Sequence, residues 1–315
     1  MKILCTRPWE DWEKEAIAEV VGSPVFLEPG KQGSLEELVG EAEILFGFPH
    51  VPVDTLVKSK TLKLIHVQST GVDRFVTPAL RRSPIVLTNS RGVHAKPVAE
   101  HAVALMIALA YNIRGHFRTQ SLHAWEDPGI DRLEGKVAGL LGLGAIGEEI
   151  ARKCKSFDMK VIGVRRNSSQ TAPQDVDVVY PASELVEVLR LSDYVLCSLP
   201  LTDETRSSLR YEHFAAMKPT ACFINVGRGP VADEEGLIRA LKDGKIRGAG
   251  LDVFETEPLP KDSPLWDMEN VVITPHTAGK SDMNRNRTIA ILKENLLRLR
   301  EKRPLINVID KQAGY

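Results

Sequence analysis

No stretch of the sequence approaches the ~18 consecutive apolar residues that a membrane-spanning helix needs. The longest apolar stretches, 103–111 and 137–147, fit a buried helix or strand. Neither sign of charge dominates, with 41 Lys+Arg against 42 Asp+Glu in 315 residues. That balance gives no electrostatic reason to expect nucleic acid or an anionic membrane as a partner. Cysteine is scarce: Cys5, Cys154, Cys197 and Cys222 lie far apart, three of them inside apolar runs. They read as small buried hydrophobes and support neither a CxxC redox pair nor a zinc site. The histidines form no HxH or HExxH spacing, so no metal is expected. Residues 1–6 run straight into a strand pattern, without the apolar core and cleavage site of a signal peptide. These lacks predict a cytoplasmic protein.

What the chain does have is length and alternation. At ~150 residues per domain, 315 residues predict two domains. Short β-branched runs alternate with longer amphipathic stretches, the pattern of parallel α/β sheets. The first third predicts strands at 2–6, 44–46, 62–67 and 85–88, and helices at 10–21 and 34–39, the second with Glu37 placed for a capping box. From Lys96 to about Phe117, Val98, Ala102, Leu105, Met106, Leu109 and Ile113 form one apolar face, predicting a single long helix. A polar segment at 126–135, rich in Asp, Pro and Gly, precedes a second βα series. Its strands are expected at 137–141, 160–164, 194–198, 222–226, 249–253 and 271–273, and its helices at 144–156, 183–189 and 233–242. A last helix, 281–302, stops before Pro304.

Gly142-Leu143-Gly144-Ala145-Ile146-Gly147 fits G-x-G-x-x-G between a strand and a helix. Gly142 permits the tight turn, Gly144 lets the backbone approach a pyrophosphate, and Gly147 lets helix and strand pack closely. Ala145 and Ile146 open the helix whose N-terminus would face the anion. A strand-to-helix turn that binds nothing, or a methyltransferase-like nucleotide fold, carries the same pattern. The next strand sharpens the reading. An NAD site places a carboxylate at its end, whereas this chain has Arg165-Arg166-Asn167-Ser168-Ser169. Arg165, Arg166 and Ser168 suit a 2′-phosphate, since guanidinium pairs phosphate oxygens in bidentate fashion. NADP(H) is therefore the expected cofactor, with NAD(H) second.

Three further segments each end a predicted strand: 225–230 with Arg228, 252–260, and 274–279 with His276. Arg228 could grip a carboxylate through a forked pair of hydrogen bonds, and His276 could exchange a proton near neutral pH. A neighbouring carboxylate would stabilise the imidazolium and keep a general acid loaded.

At these motifs, and at 69–73, 97–101 and 133–136, the chain closely resembles the D-isomer-specific 2-hydroxyacid dehydrogenase family. The resemblance runs from about residue 60 to 282 in the family's order. It implies a Rossmann dinucleotide-binding domain at 97–282 and a flavodoxin-like substrate domain at 1–96, completed by 283–315. It also implies a catalytic set of Arg228, Glu257 and His276. Thr70 and Gly71 match positions whose backbone N–H groups hold the substrate carboxylate, and Phe48 falls where substrate-facing residues stand. Pro200, Thr205, Val226, Gly227, Asp252, Ala278 and Gly279 match cofactor-lining positions, with Asp252 on the nicotinamide carboxamide. The implied chemistry is reversible hydride transfer between the nicotinamide and a small 2-oxo acid, as in NADP-dependent glyoxylate/hydroxypyruvate reductases. The long helix at 96–117 is implied as the surface of a homodimer; packing within its own core is the competing reading. Rival functions are another 2-hydroxyacid dehydrogenase, such as a short phosphoglycerate dehydrogenase or a reductase of larger 2-oxo acids, and a non-catalytic dinucleotide-sensing corepressor.

Overall fold

The computed structural model describes residues 1–48, 52–166 and 171–314. The chain divides into two compact units, Met1–His94 with Ser281–Tyr315, and Ala95–Lys280.

The first unit is a five-stranded parallel sheet of β1 (Lys2–Cys5), β2 (Val25–Leu27), β3 (Ile44–Phe46), β4 (Leu64–Val67) and β5 (Val86–Asn89). Its order, β2-β1-β3-β4-β5, is the flavodoxin-like one. Apart from the edge strand β2 the strands are buried on both faces, and their side chains divide with period two. Ile3, Cys5, Ile44, Phe46 and Leu64 pack under α1 (Asp11–Val21) and the last helix, while Leu4, Leu45, Ile65 and Val67 face Leu38, Leu56 and Leu80. The latter three lie on the short helices α2 (Leu35–Val39), α3 (Val53–Leu56) and α4 (Pro78–Arg82). At α2, Ser34 and Glu37 form the capping box read from the sequence. β2 was not legible in the sequence: it has three residues at the sheet edge and only Leu27 is buried.

The second unit opens with a correction. The stretch 96–117 is not one helix but two, α5 (Ala95–Ala110) and α6 (Ile113–Ser121). Asn112 stands in the left-handed region at φ 43°, and its side chain accepts from Gly115 N–H, so it ends one helix and caps the next. Val98, Ala102, Leu105 and Met106 are buried in this unit's own core, with Leu109 packed against it. The face proposed for dimerisation is thus used within the chain.

A seven-stranded parallel sheet follows: β6 (Val137–Leu141), β7 (Lys160–Arg165), β8 (Val178–Pro181), β9 (Tyr194–Cys197), β10 (Cys222–Asn225), β11 (Gly248–Leu251) and β12 (Val271–Ile273). Its order, β12-β11-β10-β9-β6-β7-β8, contains the dinucleotide-binding order 3-2-1-4-5-6 extended by one strand. The edge strand β8, exposed or half-buried throughout, also escaped the sequence reading. Around the sheet lie α7 (Ala145–Lys155), α8 (Leu185–Leu191), α9 (Tyr211–Ala215) and α10 (Glu234–Lys242). The final helix α11 (Asn284–Arg300) returns to the first unit and packs on α1. The polar stretch 126–135 lies inside the second unit, where Asp131 N–H donates to Ala110 and its carboxylate takes Lys136 at 3.0 Å. All four cysteines are buried thiols; burial pushes Cys154 and Cys197 up to about 12. No described helix is long and apolar enough to cross a membrane.

Candidate active site

The described candidates of the second unit sit at or after the ends of parallel strands, on one edge of the sheet. Gly142 follows β6 at φ +102°, a conformation side chains rarely adopt. A Cβ on Gly147 would stand 2.0 Å from the Gly142 carbonyl oxygen, so α7 can approach the turn only with glycine there. Nothing lies within 4 Å of a Cβ on Gly144, which leaves its backbone open to a ligand. Gly144 caps α7 without a side-chain bond, and the N–H groups of Ala145, Ile146 and Gly147 find no acceptor among the described residues. Three undirected N–H groups at a positive helix end, beside an unfilled glycine, fit a pyrophosphate.

Arg165 closes β7 beside this turn. Its Nη2 donates to the Leu143 carbonyl at 2.8 Å and lies 3.3 Å from Glu148 Oε1, while Nη1 donates to Thr171 O at 3.3 Å. Arg166 pairs with Glu204 at 3.2 Å. The strand end itself carries no carboxylate, but Glu148 of α7 and Glu204 of the loop after β9 reach the two arginines from other elements. Sequence distance hid both partners. Of five guanidinium N–H groups, Arg165 keeps Nε–H and one Nη1–H uncommitted among the described residues. Ser168 lies outside the described residues. In the 200–205 loop, Thr205 Oγ1 donates to Pro200 O at 2.6 Å and accepts from Thr202 N–H at 2.8 Å, so its hydroxyl shapes the loop.

Val226 is buried, and Gly227 cannot carry a side chain, since its Cβ would stand 2.7 Å from Leu199 O. Asn225 Oδ1 accepts the Gly227 N–H at 3.1 Å, and its amide donates to Arg228 O at 3.2 Å. This holds the turn that projects the half-buried Arg228, whose Nη1 donates to the Gly227 carbonyl at 2.9 Å.

Glu257 and His276 meet. Glu257 Oε1 accepts from Phe254 N–H at 3.1 Å and Oε2 lies 2.7 Å from His276 Nδ1. An ionised carboxylate only accepts, so Nδ1 carries the hydrogen of this bond and Nε2 remains without a partner among the described residues. His276 itself stands at φ 51°, its N–H donating to Asp252 O at 2.9 Å. The Asp252 carboxylate is 1% exposed and takes three donors: Oδ1 accepts from Thr274 Oγ1 at 2.6 Å and Thr277 N–H at 2.9 Å, and Oδ2 from Ala278 N–H at 2.9 Å. It braces the loop that carries His276, Ala278 and Gly279, a role with no signal in the sequence.

Thr70, Gly71 and Phe48 belong to the first unit. Ser69 O accepts Ser90 N–H at 3.1 Å and Thr70 O accepts Asn89 Nδ2 at 2.6 Å. Across trans peptides, pinned carbonyls turn the following N–H groups the opposite way, so those of Thr70 and Gly71 point away from Ser90 and Asn89. Such a pair can cradle a carboxylate. Phe48 is 43% exposed and lies beside Phe75, ring centroids 6.3 Å apart. Among the described residues no group of three or more His, Cys, Asp or Glu could hold a metal ion.

Residues 103–278, more than half of the chain, match the model of the D-isomer specific 2-hydroxyacid dehydrogenase NAD-binding domain. The chain belongs to the D-isomer-specific 2-hydroxyacid dehydrogenase family. It is 36% identical over 258 residues to a glyoxylate reductase from Thermofilum pendens, covering 78% of this chain and 74% of that protein. It is 31% identical over 314 residues to a D-3-phosphoglycerate dehydrogenase from Methanocaldococcus jannaschii, covering 98% of this chain but 59% of that longer one. Among solved structures it is similar to the NADPH-dependent glyoxylate/hydroxypyruvate reductase of Sinorhizobium meliloti in complex with NADP and sulfate. The TM-score there is 0.86 and the identity 27%, over 100% of this chain and 99% of that one. As a family member, the chain is an oxidoreductase acting on CH–OH groups, with a domain for a nicotinamide dinucleotide.

Proposed function

We propose that this dehydrogenase reduces a small 2-oxo acid of the glyoxylate or hydroxypyruvate kind to the D-2-hydroxy acid, with NADPH as donor. The observation that carries the reading is the Glu257–His276 contact at 2.7 Å, on the sheet edge that also holds the glycine turn and Arg228.

When bound, the reduced nicotinamide supplies hydride to the ketone carbon. Every other task falls to the chain. The planar guanidinium of Arg228 holds the substrate carboxylate and polarises the carbonyl. Glu257 fixes Nδ1–H of His276, which commits Nε2 as the end that gives a proton to the developing alkoxide. The carboxylate also stabilises the imidazolium before transfer. For cofactor choice, the support is Arg165, anchored on the glycine turn with two N–H groups to offer a 2′-phosphate, and the NADP-bound relative from S. meliloti.

NADPH absorbance followed with a panel of 2-oxo acids tests this: glyoxylate or hydroxypyruvate should be turned over, and NADH should serve less well. No turnover of any 2-oxo acid would favour the dinucleotide-sensing alternative. A reductase of larger 2-oxo acids has one observation in its favour, the exposed Phe48 beside Phe75, which offers an apolar surface to a longer side chain.

The dimer reading moves to a different surface. Phe117, Leu122, Trp125 and Ile130 on α6 and the segment after it are 66%, 71%, 104% and 49% exposed, four large apolar side chains turned to solvent in one stretch. A second copy of the chain is the proposed cover, the same surface of a two-fold mate seated on this one. Sedimentation should give a dimer that Trp125→Ser weakens; a monomeric wild type would refute it. The buried thiols suit a reducing compartment such as the cytoplasm.

A further inference from the structure

We propose that His101 is a positioning residue for His276, acting through Thr274 and Asp252. The proposal rests on the reading of His276 as the proton donor.

The bonding directions are set by counting hydrogens. The Thr274 hydroxyl has one, and it goes to Asp252 Oδ1 at 2.6 Å, because that ionised carboxylate only accepts. Thr274 Oγ1 must then accept at its other contact, His101 Nε2 at 2.8 Å, so Nε2 of His101 carries a hydrogen. The same nitrogen lies 3.4 Å from Asp252 Oδ1. The chain of bonds therefore runs one way, from His101 to Thr274 to Asp252. At its end the carboxylate collects Thr277 N–H and Ala278 N–H at 2.9 Å each, and the Asp252 carbonyl takes His276 N–H.

These bonds surround a residue whose backbone resists its position. At φ 51°, His276 occupies a region that residues with a Cβ avoid, and such conformations persist only where the surroundings impose them. The Asp252 carboxylate imposes this one by gripping the two residues after it. The orientation of that carboxylate depends on Thr274, and the Thr274 rotamer depends on His101. His101 rides on α5, which packs against β10, β11 and β12 and so gives the chain of bonds a rigid origin. Nothing in this arrangement touches a reacting atom. Its effect is to hold Nε2 of His276 where the alkoxide forms, which kcat reports and substrate affinity does not.

The test uses the full chain. His101→Leu removes the donor, and His101→Gln restores an N–H at a similar reach. Leu should lower kcat about ten- to a hundredfold, as small misplacements of reacting groups do. KM for the 2-oxo acid should change less than about threefold, and Gln should recover most of the loss. Hydrogen exchange at Thr277 and Ala278 should accelerate in the Leu variant and return with Gln. Thr274→Val should reproduce the Leu phenotype and still reads the link where His101→Leu fails to fold; the double variant should cost no more than the worse single. An unchanged kcat in His101→Leu, additive losses, or no rescue by Gln would each overturn the proposal. His276→Ala separates the two ideas: full activity there defeats the functional reading, whereas its collapse beside a normal His101→Leu defeats only this inference.

Discussion

Replacing Arg165 with Ala tests two roles that the structure gives one side chain. Three of its five N–H groups are spent on Leu143 O, Thr171 O and Glu148, which ties the guanidinium to the glycine turn. Two remain for a 2′-phosphate. A hydrogen bond to a charged group is worth about 1.5–3 kcal/mol net, so losing one such contact weakens NADPH about ten- to a hundredfold. The same substitution releases Leu143 and loosens the turn, an effect that NADH shares. The informative quantity is therefore the difference between the two cofactors. Fluorescence titration with NADPH and NADH, on wild type and Arg165→Ala, gives it directly. The expected result is a loss for NADPH exceeding that for NADH by at least about tenfold, shrinking as salt rises because the site must admit a charged ligand. Glu148→Gln should act in the opposite sense, since it removes a negative charge beside the phosphate site; its carboxylate is half exposed, so the gain is small. Equal losses for both cofactors would show that Arg165 only braces the turn, and the proposed NADPH preference would lose its main support.

Removing the acid, His276→Ala, should lower kcat by roughly 10²–10⁴ with cofactor affinity nearly intact, measured by steady-state kinetics beside a cofactor titration. Arg228→Lys keeps the charge but loses the planar fork, so kcat/KM should remain severely depressed; near-normal efficiency would exclude bidentate binding. A third test concerns stability against acid. Burial of His66 under Phe46 lowers its pKa from 6.5 to about 4, so the unfolded chain takes a proton there before the folded one does. Above pH 6.5 both states are neutral and the folded state has its full stability. As pH falls from 6.5 towards 4, urea midpoints should drop by the equivalent of about 3 kcal/mol, a part of the slope that His66→Gln should lack.

The parallel architecture was legible because its cause is local. Ile3, Leu4 and Cys5 alternate between two cores, and a strand buried on both faces writes a continuous apolar run into the sequence. β2 and β8 left no such run, since edge strands bury little and are held by their neighbours' backbones. The break at Asn112 was missed for a different reason. An apolar face at helical spacing continues across it to Ile113, and periodicity does not register a single residue in the left-handed region.

The site divides along the same line. Glycines whose Cβ would collide at 2.0 Å are marked by identity alone, and Gly147 could be named before any coordinates. Arg165 could be named too, but not its occupation by Glu148, seventeen residues back on another element. Asp252 shows the limit most sharply. Its motif assigns it to the cofactor, while the fold turns both carboxylate oxygens onto Thr274, Thr277 and Ala278. Two backbone N–H donors and one hydroxyl already satisfy three of about four lone-pair sites on that carboxylate. Any bond to a carboxamide must therefore share an oxygen that is already bracing the His276 loop. Cofactor contact and general-acid placement then depend on one buried group, and substitutions at Asp252 should disturb both at once. A sequence motif lists such residues by role; only the bonding directions show that two roles are one.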